Sequence, residues 1–492
     1  MSLELTALRF IFVSFSLIKL IKLEYPNVNQ LKFNVHFKRM SIGVIVENKL
    51  ILGGGASGLS SAVLLPNSII IESSSKVGGL SNSKSIDGFT FDQGPHIMFS
   101  RDKEVLSVMV DSLRGNVHTC MRNNVVMING SLVRYPIEND LSSLPANVRI
   151  NALQDFLRMR ISPISSEPKN LEEWFLRNFG ETLTNIYFKP YNEKIWNLPF
   201  SEISMTWADR IPSPPWEDVL KGAMGVRTEG YVHQLYYDYP KKGGYESLMR
   251  SWSEQISSHR IRTNSKIQKI ERVAENDFRI TINGVQEDFS GDIISTIPLH
   301  TLIDIYVGTP EWVKDYVNSL PVNPLITVNL GFAKKDDNQF TAVYIPDTEF
   351  LVNRISFPGV FSPDNVPSEN HLLIQAEITV TETSPAWFMT DDELIQHVLD
   401  GLKKRNLLSE FDQPIFEYVE RIKDAYVVYP TDFEDRREKV IDFFRAEGIF
   451  LNGRFGSHNY LNVDGILIQS IELAKQFDSE LDLVKIRNLF GL

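Results

Sequence analysis

The sequence predicts an α/β fold: a Rossmann-like dinucleotide-binding core into which a helical insertion and an antiparallel β-sheet insertion are threaded. Three observations predict it. Lys49-Leu50-Ile51-Leu52 is a short apolar run that opens directly into Gly53-Gly54-Gly55-Ala56-Ser57-Gly58, the G-x-G-x-x-G spacing of a strand-to-helix nucleotide loop. A second apolar run, Ser68 to Ile71, ends in Glu72, 19 residues after Gly53, where such sites carry an acid. Further along, apolar spacing switches from helical to alternating and back, as it does when insertions interrupt one core.

The first 39 residues stand apart from this pattern. Phe10 to Ile18 is apolar but well short of the ~20 residues a membrane helix needs, and Arg9, Lys19 and Lys22 flank it. No small-residue cleavage site follows, which disfavours a signal peptide. We read the segment as an upstream extension or a mis-assigned start ahead of a core beginning near Met40. A membrane-surface anchor is the lesser alternative, and no integral span is expected.

Within the loop each glycine has its own task. Gly53 allows the tight turn, Gly55 lets the backbone approach a pyrophosphate, and Gly58 lets the following helix pack closely on the strand. Ala56 and Ser57 open that helix, whose N-terminus favours an anion. Glu72 is placed to accept hydrogen bonds from a ribose, and a second doublet follows at Gly78-Gly79. Arg101 to Trp216 reads as mostly helical, for instance Leu171 to Phe179, where apolar residues recur at helical spacing. Lys241-Lys242-Gly243-Gly244 returns to the core, and Arg260 to Thr296 alternates as strands, with a hairpin turn at Asn283-Gly284. Leu325 to Thr379 is strand-rich, and Gly448 to Asn452 is a closing strand before a turn at Gly453-Arg454. The expected organisation is a core at 40–100, 236–300 and 441–492, a helical domain at 101–235 and a β-sheet domain at 301–440.

Composition sets outer bounds. The chain has 492 residues, 43% hydrophobic and 23% charged, enough for two or three domains around a sizeable core. A net charge of −12 argues against nucleic acid as a partner, while leaving room for one local basic pocket. Cys120 is the single cysteine, so no internal disulfide forms, and no Cys/His spacing suits a metal. A reducing, cytoplasmic location and metal-free chemistry are the expectation.

The run Glu72 to Leu80, containing Lys76-Val77-Gly78-Gly79, followed by Gly88-Phe89-Thr90-Phe91-Asp92-Gln93-Gly94-Pro95-His96, resembles a large flavoprotein family. That family contains amine oxidases, protoporphyrinogen oxidase and UDP-galactopyranose mutase, and the resemblance implies FAD as cofactor. Gly453-Arg454 is similar to the segment that returns beneath the flavin pyrophosphate there. Val133 to Asp140, Lys189 to Trp196 and Ala208 to Pro212 then resemble the UDP-galactopyranose mutases. So do Tyr344-Ile345-Pro346, Asn353 to Phe357, Tyr429-Pro430-Thr431 and Tyr460, in that family's order. Coverage runs from about Leu50 to the C-terminus.

The resemblance implies interconversion of UDP-galactopyranose and UDP-galactofuranose, or a related nucleotide-sugar ring contraction. Reduced flavin is then the nucleophile, a UDP-sugar the substrate and NAD(P)H a candidate reductant. It assigns FAD binding to Gly53, Gly55, Ala56, Ser57, Gly58, Glu72, Gly78, Gly79, Gly453 and Arg454, and it puts His96 near the flavin. Arg210 and Arg354 become clamps on the substrate diphosphate, Tyr429 and Tyr460 phenolic donors to it, and Tyr344 a ring for uracil. Asn192 and Trp196 join the substrate region. The chemistry suits the residue types, because guanidinium groups bind phosphate oxygens through paired, charge-assisted hydrogen bonds and stay protonated. Singly, each has a commoner reading: Arg210 beside Asp209 as a surface ion pair, Trp196 as core, His96 as a hydrogen-bonded structural histidine. The ordered set carries the assignment. Its rival is an oxidoreductase of the amine oxidase or protoporphyrinogen oxidase type, in which flavin accepts a hydride.

Overall fold

The Lys49–Leu52 strand lies at the centre of a five-stranded parallel sheet in the computed structural model, which describes residues 43–45, 48–161, 167–211, 215–228, 235–334 and 340–492. The order across the sheet is Ile261–Arg262, Ser68–Ile71, Lys49–Leu52, Asp292–Ser295 and Ile449–Leu451. Strands from widely separated parts of the chain thus build one sheet. Leu50, Ile51, Ile70, Ile293 and Ile294 have no exposed surface, the near-continuous apolar character of parallel strands covered on both faces. The helix Ala56–Leu64 leaves the central strand and packs against Val463–Phe477, where Ser60, Ser61 and Asn452 all hydrogen-bond Ser470. Two loop glycines are required by the fold itself: Gly53 has φ +93°, and a Cβ on Gly58 would lie 1.9 Å from the Gly53 carbonyl oxygen.

A second sheet of five strands holds the Asp277–Ile282 and Val285–Ser290 hairpin, whose Asn283 and Gly284 both take positive φ, 49° and 80°. This is the type I′ geometry that Asn-Gly favours. A third sheet has seven strands in the order Phe416–Val427, Val322–Phe332, Leu372–Thr379, Arg354–Ser356, Ala342–Tyr344, Asn124–Ile128 and Ser131–Arg134.

The last two strands correct the mostly helical reading of Arg101 to Trp216. Residues 117–134 are β-structure, and their hairpin extends the sheet built by residues 322–427. The reason is physical: Asn124–Ile128 is buried at every position, so it lacks the alternation that marks a half-exposed strand. Helices do occupy much of the rest of the segment, at Lys103–Ser112, Ala146–Ile161, Leu171–Leu183 and Lys189–Trp196, and Phe175 and Phe179 of the third pack against Phe188 and Phe200 of the short turns that follow it. A smaller correction falls at Gly453-Arg454, which begins a short helix, Gly453–Gly456, where a plain turn was expected. Among the described residues no helix is long and apolar enough to cross a membrane. Phe10 to Ile18 lies outside the described residues.

Candidate active site

The nucleotide loop, the seven-stranded sheet and the short helix Gly453–Gly456 share one cleft of about 870 Å³. On the loop side, Gly55 lies in extended backbone (φ −73°, ψ −172°) and caps the helix Ala56–Leu64 with no side chain bonded to the helix N–H groups. Gly78 pairs back onto this loop through its N–H to the Gly54 carbonyl, 2.7 Å. Gly55 and Gly79 then face each other so closely that a Cβ on Gly79 would stand 3.1 Å from the Gly55 Cα. Glu72 accepts the Gly54 N–H and the Ser74 N–H, each at 2.7 Å, and lines the cleft.

These features fit FAD. An uncapped helix N-terminus beside two facing glycine backbones leaves room and donors for a pyrophosphate. Ser57 Oγ and the Nε and Nη2 of Arg454 are buried without hydrogen-bond partners, as groups waiting for ligand oxygens would be. Arg454 is held by ring faces, 4.6 Å over Tyr460 and 5.4 Å over Tyr426. Gly453 meets Ser57 closely, since a Cβ there would lie 2.5 Å from the Ser57 Cβ.

Facing the loop, the sheet contributes Tyr344 and Arg354, which oppose each other on neighbouring strands. The Tyr344 hydroxyl accepts from Asn124 Nδ2 at 2.9 Å, and its ring meets Tyr135 and Tyr191 edge to face. Arg354 donates through Nε and Nη2 to the two carboxylate oxygens of Glu377, the latter at 2.8 Å. Burial opposes the Arg354 charge, but the Glu377 carboxylate outweighs it, so the guanidinium pKa stands well above its usual range. His96 also lines the cleft, with Nδ1 unpartnered. Burial, opposed by the Gly94 carbonyl and reinforced by the Arg454 and Arg354 charges, brings its pKa down to about 4, so the imidazole is neutral at pH 7.

The other assigned residues fall differently. Asn192, Trp196 and Tyr429 are buried and do not line the cleft. Asn192 Oδ1 accepts from the Trp196 indole at 3.3 Å, and the Trp196 and Tyr429 rings both lie about 6 Å from Tyr460, which does line it. The three form a layer behind Tyr460. Arg210 ends the 3₁₀ helix Met205–Arg210, and its side chain lies outside the described residues, as do 212–214. Sequence reasoning missed Arg122, a cleft residue stacked 5.0 Å over Phe99 with Nε buried and unpartnered, and it missed Glu377. Arg122 carries no local signal, whereas Glu377 had one: a lone acid in the otherwise uncharged run Leu372–Thr379.

Residues 56–433 match the family of flavin containing amine oxidoreductases. Among curated proteins, protoporphyrinogen oxidase 1 of Arabidopsis thaliana is 23% identical over 330 residues, 59% of this chain and 60% of that protein. Coproporphyrinogen III oxidase of Bacillus subtilis (strain 168) is 21% identical over 450 residues, covering 82% of this chain and 92% of the relative. Among solved structures, reduced UDP-galactopyranose mutase superposes with a TM-score of 0.81 at 24% identity, over 90% of this chain and 98% of that one. A fatty acid isomerase from P. acnes gives 0.61 at 13% identity, over 89% and 100%.

Proposed function

Because the chain belongs to the flavin containing amine oxidoreductase family and so uses FAD, we propose that it interconverts UDP-galactopyranose and UDP-galactofuranose, or performs a related nucleotide-sugar ring contraction. The observation that supports this most is the set of arginines lining the cleft. In a chain of net charge −12, the cleft is lined by Lys76, Arg122, Arg354, Lys423 and Arg454 against only Glu72 and Asp424. Lys76, Lys423 and Arg354 are ion-paired to Glu246, Glu382 and Glu377, so guanidinium donors and not net charge carry the preference. Arg122 has a buried Nε without a partner and Arg354 keeps one donor beyond its ion pair, a set that suits phosphate oxygens better than a cationic amine. When bound and reduced, FAD supplies the nucleophile for the anomeric carbon.

The chain's own residues bind, orient and stabilise charge. Arg354, with Nε and Nη2 committed to Glu377, keeps Nη1 for a phosphate oxygen and would stabilise the charge that builds on departing UDP. Tyr344, fixed by Asn124 and by two edge-on tyrosines, offers a pre-oriented ring to a base. A neutral His96 hydrogen-bonds without adding charge beside the flavin. Trp196 and Tyr429 hold Tyr460 from behind.

The test is to incubate purified protein with UDP-galactofuranose, with and without dithionite, and to separate the products by chromatography. Turnover confined to the reduced sample is expected. The named activities of the curated relatives supply the second reading, a porphyrinogen oxidase. Oxygen consumption with a porphyrinogen, together with no turnover of the UDP-sugar under reduction, would replace the first reading with the second.

A further inference from the structure

Leu372–Thr379 is buried along its whole length, and Glu377 within it has no exposed surface. A carboxylate there is costly unless it is paired and hydrogen-bonded. Cross-strand register supplies the partner. Tyr344 opposes Arg354, Arg354 opposes Glu377, and Glu377 opposes Thr327 on the next strand. Directly opposed residues share a face, so a row of side chains crosses the sheet from the cleft wall into the interior. Glu377 takes Nε and Nη2, one complete edge of the guanidinium. The group is planar and rigid, so fixing that edge fixes the direction of its remaining donor. The carboxylate is itself hemmed in, because a Cβ on Gly94 would lie 3.6 Å from Oε1, and Gly94 stands between the cleft residues Gln93 and Pro95.

We infer that Glu377 is the positioning residue for Arg354, locking its guanidinium plane so that Nη1 is presented to the substrate diphosphate. Glu377 does not touch the substrate. This assignment rests on the proposed nucleotide-sugar reading, in which Arg354 meets the diphosphate. It makes the ion pair a device for direction, since the pair has little net charge and binds phosphate through the geometry of one donor.

A double-mutant cycle on the reduced holoenzyme tests it, with kcat and KM for UDP-galactofuranose and Kd for UDP measured on Arg354→Gln, Glu377→Gln and the double variant. Each single variant is expected to lose about 30-fold or more in kcat/KM and about tenfold in UDP affinity, with FAD absorbance retained. The double variant should be no worse than Arg354→Gln alone, because a residue acting only through Arg354 has nothing left to position. Glu377→Asp, which keeps the charge on a shorter arm, should recover part of the loss. Losses that multiply in the double variant, or full kcat/KM in Glu377→Gln beside a deficient Arg354→Gln, overturn the inference and leave the functional reading standing. Wild-type turnover and UDP affinity in Arg354→Gln bring down both. Should Glu377→Gln fail to fold, with an arginine charge left buried, the comparison of Arg354→Gln with the charge-free double variant decides alone: equal kinetics support positioning and a further drop refutes it.

Discussion

Gly55 separates two reasons for a glycine that the motif spacing alone runs together. Gly53 needs its φ of +93°, and Gly58 has no room for a Cβ beside the Gly53 carbonyl. Gly55 has ordinary extended backbone, and the nearest atom to an added Cβ is the Gly79 Cα at 3.9 Å. Among the described residues nothing forbids a Cβ there, and we propose that the space is kept for the cofactor pyrophosphate. Gly55→Val is therefore expected to fold and to lose FAD, read as the flavin absorbance of purified protein alongside its thermal unfolding. A folded Gly55→Val protein with wild-type flavin content would mean that the pyrophosphate lies elsewhere. These three glycines were legible because their reasons are local. Glu377 was visible only as an anomaly, an acid in an apolar run, because its partner Arg354 is 23 positions away and meets it only through sheet register.

At the scale of elements, the hairpin at residues 124–134 shows how a strong local signal was outweighed. Asn129-Gly130 takes positive φ at both positions, 51° and 80°, as Asn283-Gly284 does, and Asn-Gly between apolar runs is a hairpin signal in its own right. Full burial removed the alternation that would have backed it. A Cβ added to Gly130 would have nothing within 4 Å, so Gly130→Ala meets no clash and costs only backbone strain, about 1 kcal/mol. Urea unfolding should show that loss with FAD content unchanged. A loss several times larger would mean that the turn is held by contacts and not by φ alone. Asn192 and Trp196 make a related point. Their helix, Lys189–Trp196, lies in the segment the sequence reads as mostly helical, but the face it turns to Tyr460 depends on packing between segments over 250 residues apart.

For the whole molecule, two buried groups outside the cleft bias stability against pH in opposite directions. His458 is almost fully buried, its Nε2 has no partner, and burial brings its pKa down to about 3. The unfolded chain protonates it near pH 6.5, so the stability it contributes is complete above about pH 6.5 and is lost as pH falls toward 3. Asp92 is pushed up to about 6 by burial, against hydrogen bonds from Ser83, Tyr245 and Tyr239. From about pH 6 down to its unfolded value near 3.9 the folded state binds the extra proton, so acidification stabilises through Asp92. Thermal unfolding across pH 4–7 should show a shallower acid-side fall in Tm for His458→Asn, a residue that tolerates the φ of 45° at this position, and a steeper fall for Asp92→Asn. Slopes unchanged in both variants would rule these groups out as determinants of acid stability. By itself the sequence determined the nucleotide loop and its two flanking strands, because those depend on spacing within a few tens of residues and on backbone rules that any context obeys, while the family resemblance of Glu72 to His96 implied FAD. Only the tertiary structure decided which assigned residues face the cleft: Tyr344, Arg354, Arg454, Tyr460 and His96 do, whereas Asn192, Trp196 and Tyr429 stand behind it. Strand order and register bring distant segments side by side, and burial then sorts identical residue types into those that line the cleft and those that pack behind it.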